Sequence, residues 1–350
     1  MTGSFSNSDQ ISDSTVPTGR VECRMADHTP AIYFYVPDEE RPFYSIAENV
    51  QSYWAWLMSQ PGIRAYGKYN WTLQTFLHLR DANFPCHLTG ELPSSGIVVA
   101  HRDFLGNDIH RVSERLLICI LADRNAPNCL GRHPNADLHI VQNPTDIPSD
   151  RATAHADHYI PFWPQPGLLP RDVKRGGRFE TVAYFGDTDN LAAELKNPTW
   201  AKRLAELGLR WQIVPRYGWH DYRHIDAIVA VRSFQAQTFA HKPATKLYNS
   251  WHAEVPAIFG NESAYRSMRQ SELDYLEVNS FDEAISAVTR LRDSSELRQA
   301  MRANARLRSE ETSPCKLIAS WFTFFSDTAI PAYHRRVRLL PMRGLCTTSG

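Results

Sequence analysis

The chain has 350 residues, enough for two domains of ordinary size, and 43% of them are apolar, enough to build two cores. Thirty-eight basic residues balance 38 acidic ones, so there is no bulk charge with which to recruit nucleic acid. No apolar run reaches the roughly 18 residues of a bilayer span. The six cysteines form no Cys-x-x-Cys pair, which fits core residues in a reducing compartment.

Residues 1–28 are polar and aperiodic and are expected to be disordered. Their Ser/Asp/Thr-rich composition lacks a signal-peptide pattern, so a cytoplasmic place is expected. A first domain is expected over 29–161. It opens with a buried strand at 31–36, closed by Pro37, and a helix at 47–58. Asn70 reads as the N-cap of a helix over 71–80, whose apolar face carries Trp71, Phe76 and Leu77. Strands follow at 86–88, 96–100, 115–121, 138–141 and 158–161. Strands separated by helix or loop predict a largely parallel sheet covered on both faces. His101 and Asp103 follow the strand at 96–100, at the carboxyl end where open α/β sheets place their sites.

Phe162-Trp-Pro-Gln-Pro-Gly and the charged run after it predict an extended linker at 162–178. The second domain, 179–314, begins with a strand at 181–185 that stops at Gly186. A helix over 190–207, broken at Pro198, and a strand at 209–214 come next. Asp221 is expected to cap a short helix, and a strand at 227–231 ends at Arg232. Then comes the most informative stretch, from Lys242 to Tyr265. A short helix carries Lys246 and Asn249, a buried strand spans 255–259, and after Gly260 a helix is expected to open at Asn261-Glu262-Ser263. A strand that stops at glycine and feeds a helix N-terminus offers free N–H groups to a phosphate, and the upstream lysines supply opposing charge. A strand at 275–278 and helices at 281–291 and 294–308 follow. A last amphipathic helix, 316–325, lies in a segment, 315–332, and a loose basic tail is expected over 333–350. That tail suits peripheral contact with an anionic membrane face.

Taken together, the second half resembles the donor half of GT-B glycosyltransferases, an α/β class with two Rossmann-like domains facing across a cleft. The elements that carry the resemblance are Val-Ala-Tyr-Phe-Gly at 182–186, Ile-Asp-Ala-Ile-Val-Ala-Val-Arg at 225–232, and the unit from Lys246 to Tyr265. Asp274 to Val278 with Ser280-Phe-Asp-Glu-Ala, and a terminal helix pair ending near Trp321, complete the order. The resemblance covers about 180–325 well and the first half weakly. It implies a nucleotide-sugar as donor substrate, a glycan or lipid-linked acceptor, and a terminal helix that returns to the first domain. By the same resemblance Arg232 and Lys246 hold the diphosphate, Glu262 accepts ribose or sugar hydroxyls, and Trp219 and Tyr222 stand near the base. Many retaining members carry a first glutamate where this chain has Asn249, so retaining and inverting chemistry both stay open. For an inverting transfer, Asp103 and His101 are the candidate bases. The loop Tyr66-Gly67-Lys68 falls where the first domain of the fold faces the cleft, and its aromatic character suits a sugar acceptor.

No cofactor is expected, because the nucleotide-sugar is a substrate. His155-x-x-His158 and His220-x-x-x-His224 lack the glutamate partner of zinc proteases, and the site is expected to work without a metal and without an Asp-x-Asp triplet. Fixed cations would take over the metal's role at the leaving diphosphate. Two other readings share the architecture: a sugar-nucleotide epimerase, and a catalytically silent protein that binds a glycan or a partner enzyme.

Overall fold

The computed structural model describes residues 29–43, 48–59, 66–122, 131–149, 156–235 and 237–338. The expected disorder of 1–28, His155 and the tail beyond 338 lie outside the described residues.

The first domain runs β1 (Ile32–Tyr35), α1 (Val50–Ser59), α2 (Tyr66–Tyr69), α3 (Thr75–Asp81), β2 (His87–Thr89), β3 (Gly96–His101), β4 (Arg115–Ile120), β5 (Leu138–Val141) and β6 (Asp157–Tyr159). All six strands are parallel, in the order β2-β1-β3-β4-β5-β6. Strands β3, β4 and β5 are buried at every position. Their aliphatic runs show no in–out alternation because both faces of a parallel sheet are covered. The expected cap at Asn70 is not one. The helix has already begun at Tyr66, and a π turn over Asn70–Gln74 joins α2 to α3. Asn70 instead accepts from the Tyr53 hydroxyl at 2.7 Å.

The second domain runs β7 (Thr181–Phe185), α4 (Ala193–Lys196), α5 (Pro198–Glu206), β8 (Arg210–Val214), β9 (Ala227–Ala230), α6 (Thr245–Ala253), β10 (Ala257–Phe259), α7 (Ser263–Met268), β11 (Leu276–Glu277), α8 (Phe281–Asp293) and α9 (Ser295–Ser309). Its parallel sheet has the order β8-β7-β9-β10-β11. The expected helix over 190–207 is two helices, because Asn197 caps α5 by accepting from Thr199 N at 2.9 Å, with Pro198 at the first helical position. Asp221 starts no helix. Its carboxylate folds back on Arg223, accepting from the backbone N at 3.1 Å and pairing with the guanidinium at 2.7 Å.

In both sheets the chain steps outward from the first strand and then returns to its other side. The resulting switch points lie between β1 and β3 and between β7 and β9. Helix α10 (Pro314–Phe324), a π turn (Phe325–Ala329) and α11 (Ile330–Arg338) return to the first domain. Trp321 and Phe325 are buried in its core, with the Trp321 ring edge-on to Phe34 at 6.3 Å. The segment 333–338 is therefore helix, not loose tail. Arg336 fixes it by pairing with Asp137 at 2.6 Å.

The proline-rich segment is no free tether. Trp163 is buried in the first core and donates to Thr75 Oγ1 at 2.8 Å, while Arg171 is buried against Asp226 of the second domain. Across the divide the Tyr159 and Tyr248 hydroxyls meet at 2.8 Å, and Trp54 stands edge-on to His220 at 5.3 Å. Two doubly wound parallel domains face one another, which is the GT-B arrangement.

Candidate functional site

A cavity of about 240 Å³ lies between the domains. Its second-domain wall is built at the carboxyl ends of β7, β8 and β9, the switch point where doubly wound sheets bind ligands. Phe185, Gly186 and Asp187 come from the end of β7, Arg216 and Trp219 from beyond β8, and Arg232 from beyond β9. Gly186 is required by packing. A Cβ there would meet Tyr184 Oη at 2.6 Å and Lys246 Cε at 3.1 Å.

The opening of α6 completes this wall with Lys242, Pro243, Thr245 and Lys246. Ala244 occupies the N-cap and offers no side-chain acceptor. Thr245 Oγ1 is out of solvent and has no hydrogen-bond partner among the described residues. The helix N-terminus carries partial positive charge, and its first N–H groups have no partner within the helix. An unpaired hydroxyl, a helix terminus and two lysines thus converge on one side of the cavity. Lys246 Nζ also sits 5.6 Å from the centre of the Tyr184 ring.

Phe185 stacks on Tyr222 at 4.0 Å and 12°. Tyr222 is fully buried and hydrogen-bonds with Asn249, and burial pushes its phenol far up from the ordinary value. Asn249 Oδ1 accepts from Gln165 N at 2.8 Å, tying α6 to the connecting segment. These two residues therefore shape the floor. Trp219 is more available: it donates to Val214 O at 3.0 Å and carries the Arg216 guanidinium 5.3 Å above its ring. The first-domain wall holds Trp54, Gly67, Asn70, Trp71, Gln142 and Phe162. Gln142 donates to His241 O at 2.6 Å, while its Oε1 is buried without a partner among the described residues.

Among the residues singled out from sequence, Gly186, Arg232, Lys246, Asn249, Trp219, Tyr222 and Gly67 line this cavity. Others do not. Helix α7 spans six residues, and its opening is already used: Ser263 N donates to Thr238 O at 2.9 Å, and Ser263 Oγ is bonded to Asn143 and Thr145 of the first domain. Glu262 caps no N–H group. It takes Arg232 Nε at 2.7 Å, and its own side chain is buried while that of Arg232 is nearly so. Gly260 is a packing glycine, because a Cβ there would stand 3.0 Å from Val231 Cγ1. Gly260, Asn261, Glu262 and Ser263 lie outside the cavity wall, so the helix terminus aimed into the cavity is that of α6, not α7. Burial opposes the charge of Arg232, yet the Glu262 carboxylate outweighs it and raises the guanidinium pKa. Arg232 Nη1 is bonded to Asn190, which also lines the cavity.

His101 and Asp103 are outside the wall as well. His101 is buried, its Nδ1 accepts from Asp103 N at 3.1 Å and its Nε2 lies 3.2 Å from Ala122 O. This arrangement engages both ring nitrogens. Lys68 pairs with Glu40 at 2.5 Å, and the Tyr66 side chain lies outside the described residues.

The expectation of a site without an Asp-x-Asp triplet is corrected by Asp187-Thr188-Asp189. Asp187 lines the cavity, and both of its oxygens accept from Arg216 Nη2, at 2.9 and 2.8 Å. Among the described residues no three metal-ligand side chains gather. Arg216 and Asp187 were both legible by the strand-end rule that picks out Arg232.

No family model matches the chain, and no curated protein matches it. Among solved structures it is similar to Alr3699/HepE of Anabaena in complex with UDP-glucose, at 11% identity and a TM-score of 0.49, over 85% of this chain and 100% of that one. It is also similar to sucrose-phosphate synthase of Thermosynechococcus elongatus, at 13% identity and 0.45, over 67% and 74%. A third likeness is the pneumococcal O-GlcNAc transferase GtfA in complex with UDP and GlcNAc, at 13% and 0.47, over 71% and 58%.

Proposed function

We propose that the cavity binds a nucleotide-sugar and that the chain is a glycosyltransferase, passing the sugar to a glycan or lipid-linked acceptor without a metal. The observation that carries this reading is the α6 terminus: Thr245 Oγ1 without a partner among the described residues, beside Lys242 and Lys246, all on one wall. A departing diphosphate gains negative charge as the bond between the anomeric carbon and the phosphate oxygen breaks. Fixed cations and helix N–H groups stabilise that charge more in the transition state than in the ground state. Trp219 offers the base an aromatic face, and Trp54, Gly67 and Trp71 face the acceptor. The acceptor oxygen bonds the anomeric carbon, and its proton passes to the departing phosphate. Asp187, the one carboxylate among the described lining residues, is already held by Arg216. A cytoplasmic place belongs to the same proposal; no helix among the described residues is long and apolar enough to cross a membrane.

The state of Asp187 also favours a second reading, a protein that binds the nucleotide-sugar and transfers nothing. Incubation with a panel of nucleotide-sugars, with and without glycan acceptors, separates the readings. Acceptor-dependent release of nucleoside diphosphate supports transfer. An isomerised nucleotide-sugar would make the chain an epimerase, and binding without turnover would make it a silent binder.

A further inference from the structure

A second cavity, of about 380 Å³, lies at the other end of the second domain. Asp226, just before β9, accepts from Glu180 N and Thr181 N at the amino end of β7, at 2.9 and 3.0 Å. Arg171 is bonded to that same carboxylate at 3.0 Å and lines this second cavity. The nucleotide cavity sits at the carboxyl ends of the same strands, so the two are separate.

The walls carry Arg171, Arg298, Arg302 and Arg306 against one carboxylate, Glu254. Two of the arginines are paired: Arg171 with Asp226, a carboxylate it shares with Arg175, and Arg306 with Glu254 at 2.7 Å. Glu254 is the C-cap of α6 at φ +54°, a left-handed position that glycine takes more cheaply. Its carboxylate holds Arg306 at the rim. Arg298 is buried and, among the described residues, donates only to carbonyls, Leu291 O at 2.5 Å, Arg292 O at 2.8 Å and Gly177 O at 2.9 Å.

Arg302 is the exceptional residue. Its Nη1 stands 3.5 Å from Gly176 O, and its Nε and Nη2 are out of solvent with no hydrogen-bond partner among the described residues. Burial first, and then the charges of Arg171 and Arg298, pull its pKa down to about 10. Buried donors of a cation are seldom left unbonded, because the desolvation cost goes uncompensated. Nε and Nη2 form one edge of the guanidinium, and that edge matches two oxygens of a phosphoryl group. Arg298 and Arg302 bring two positive charges with no carboxylate among the described residues bonded to either, which suits a dianion.

We propose that this cavity is a second anion site, binding a phosphoryl dianion through the Arg302 guanidinium with Arg298 and Arg306 around it. The test titrates the full chain with inorganic phosphate at constant ionic strength, by calorimetry and by thermal unfolding. The variants are Arg302→Gln, Arg302→Lys and, to separate the nucleotide cavity, Lys246→Ala. Losing a charge-assisted pair weakens binding by about ten- to a hundredfold. That loss is expected in Arg302→Gln, and a partial loss in Arg302→Lys, which keeps the charge without the planar edge. Lys246→Ala is expected to keep this binding event. Without phosphate, Arg302→Gln is expected to unfold at or above the wild-type temperature, since it removes two buried donors that have no partner among the described residues. Flotation with phosphatidylcholine vesicles, with and without phosphatidic acid, identifies the source of the group. Capture that depends on Arg302 and phosphatidic acid supports a lipid headgroup, and phosphate binding without capture supports a soluble phosphate compound. Failure of the wild type to bind phosphate, or undiminished binding by Arg302→Gln, would overturn the proposal.

Discussion

Arg232 donates from Nε to Oε2 of Glu262 at 2.7 Å, joining the carboxyl end of β9 to the start of α7 inside the second domain. The side chains are only 10% and 3% exposed. Residues that sequence alone assigns separately to a ligand are thus each other's partner, and Arg232 faces the cavity with part of its charge already spent.

This pair makes a stability prediction. Removing one member leaves the other as a buried, uncompensated charge, which typically costs about 3–5 kcal/mol. Arg232→Ala and Glu262→Ala are each expected to lower stability by that order in urea unfolding. The double variant Arg232→Met/Glu262→Leu is expected to recover most of it. Equal losses in the single and double variants would show that packing, not charge, governs this corner. A loss of turnover in Arg232→Ala must therefore be read together with its unfolding curve.

Asp103 lies outside the cavity wall, and His101 is engaged through both ring nitrogens. Asp103→Asn is expected to leave turnover within about threefold of wild type, whereas loss of a general base costs roughly a hundredfold or more. Steady-state kinetics with saturating donor decides this. A loss of that larger size, with nucleotide affinity kept, would return Asp103 to the acceptor side.

The proposal of a metal-independent site rests on the Arg216–Asp187 contact. The guanidinium stands where a cation bound to the aspartate would stand, so turnover is expected to be indifferent to a chelator and to added magnesium or manganese. Turnover abolished by the chelator and restored by a divalent ion would make Asp187-Thr188-Asp189 a metal site.

The acid limb of stability has a specific source. His78 stacks on Trp163 at 4.0 Å, and burial lowers its pKa from 6.5 to about 4. Between those values the unfolded chain binds a proton that the fold does not, so stability falls as pH falls from 6.5 toward 4. Burial also lowers the pKa values of His133 and His252, which adds to the same limb. Urea midpoints measured across this window are expected to fall less steeply in His78→Phe than in wild type. Parallel curves would remove His78 as a contributor.

Legibility tracked locality. The strands read at 138–141 and 181–185 coincide with β5 and β7, because continuous buried runs bounded by turn residues leave little choice. The serines before α8 and α9 cap them as the pattern implies, Ser280 accepting from Glu283 N and Ser294 from Leu297 N. Strand ends bring Gly186 and Arg232 to one cavity because β7 and β9 flank the switch point. Gly260 ends β10, one strand farther out, so the same local pattern leads away from the cavity. The α6 terminus was harder to see, because Ala244 gives no capping signal and Thr245 matters only through its lack of a partner. The ends of the linker were unreadable for a similar reason: Arg171 looks like solvated charge until the fold sets it against Asp226.

The central claim is that the α6 wall holds a diphosphate. The direct measurement is calorimetric titration of the full chain with UDP, GDP and ADP, in wild type and in Lys246→Ala. Wild type is expected to bind at least one of them saturably. Lys246→Ala is expected to bind it about ten- to a hundredfold more weakly, with unfolding unchanged, as the loss of a charge-assisted phosphate contact dictates. Equal affinity in the two proteins, or a folded wild type that binds none of the three, would contradict the account.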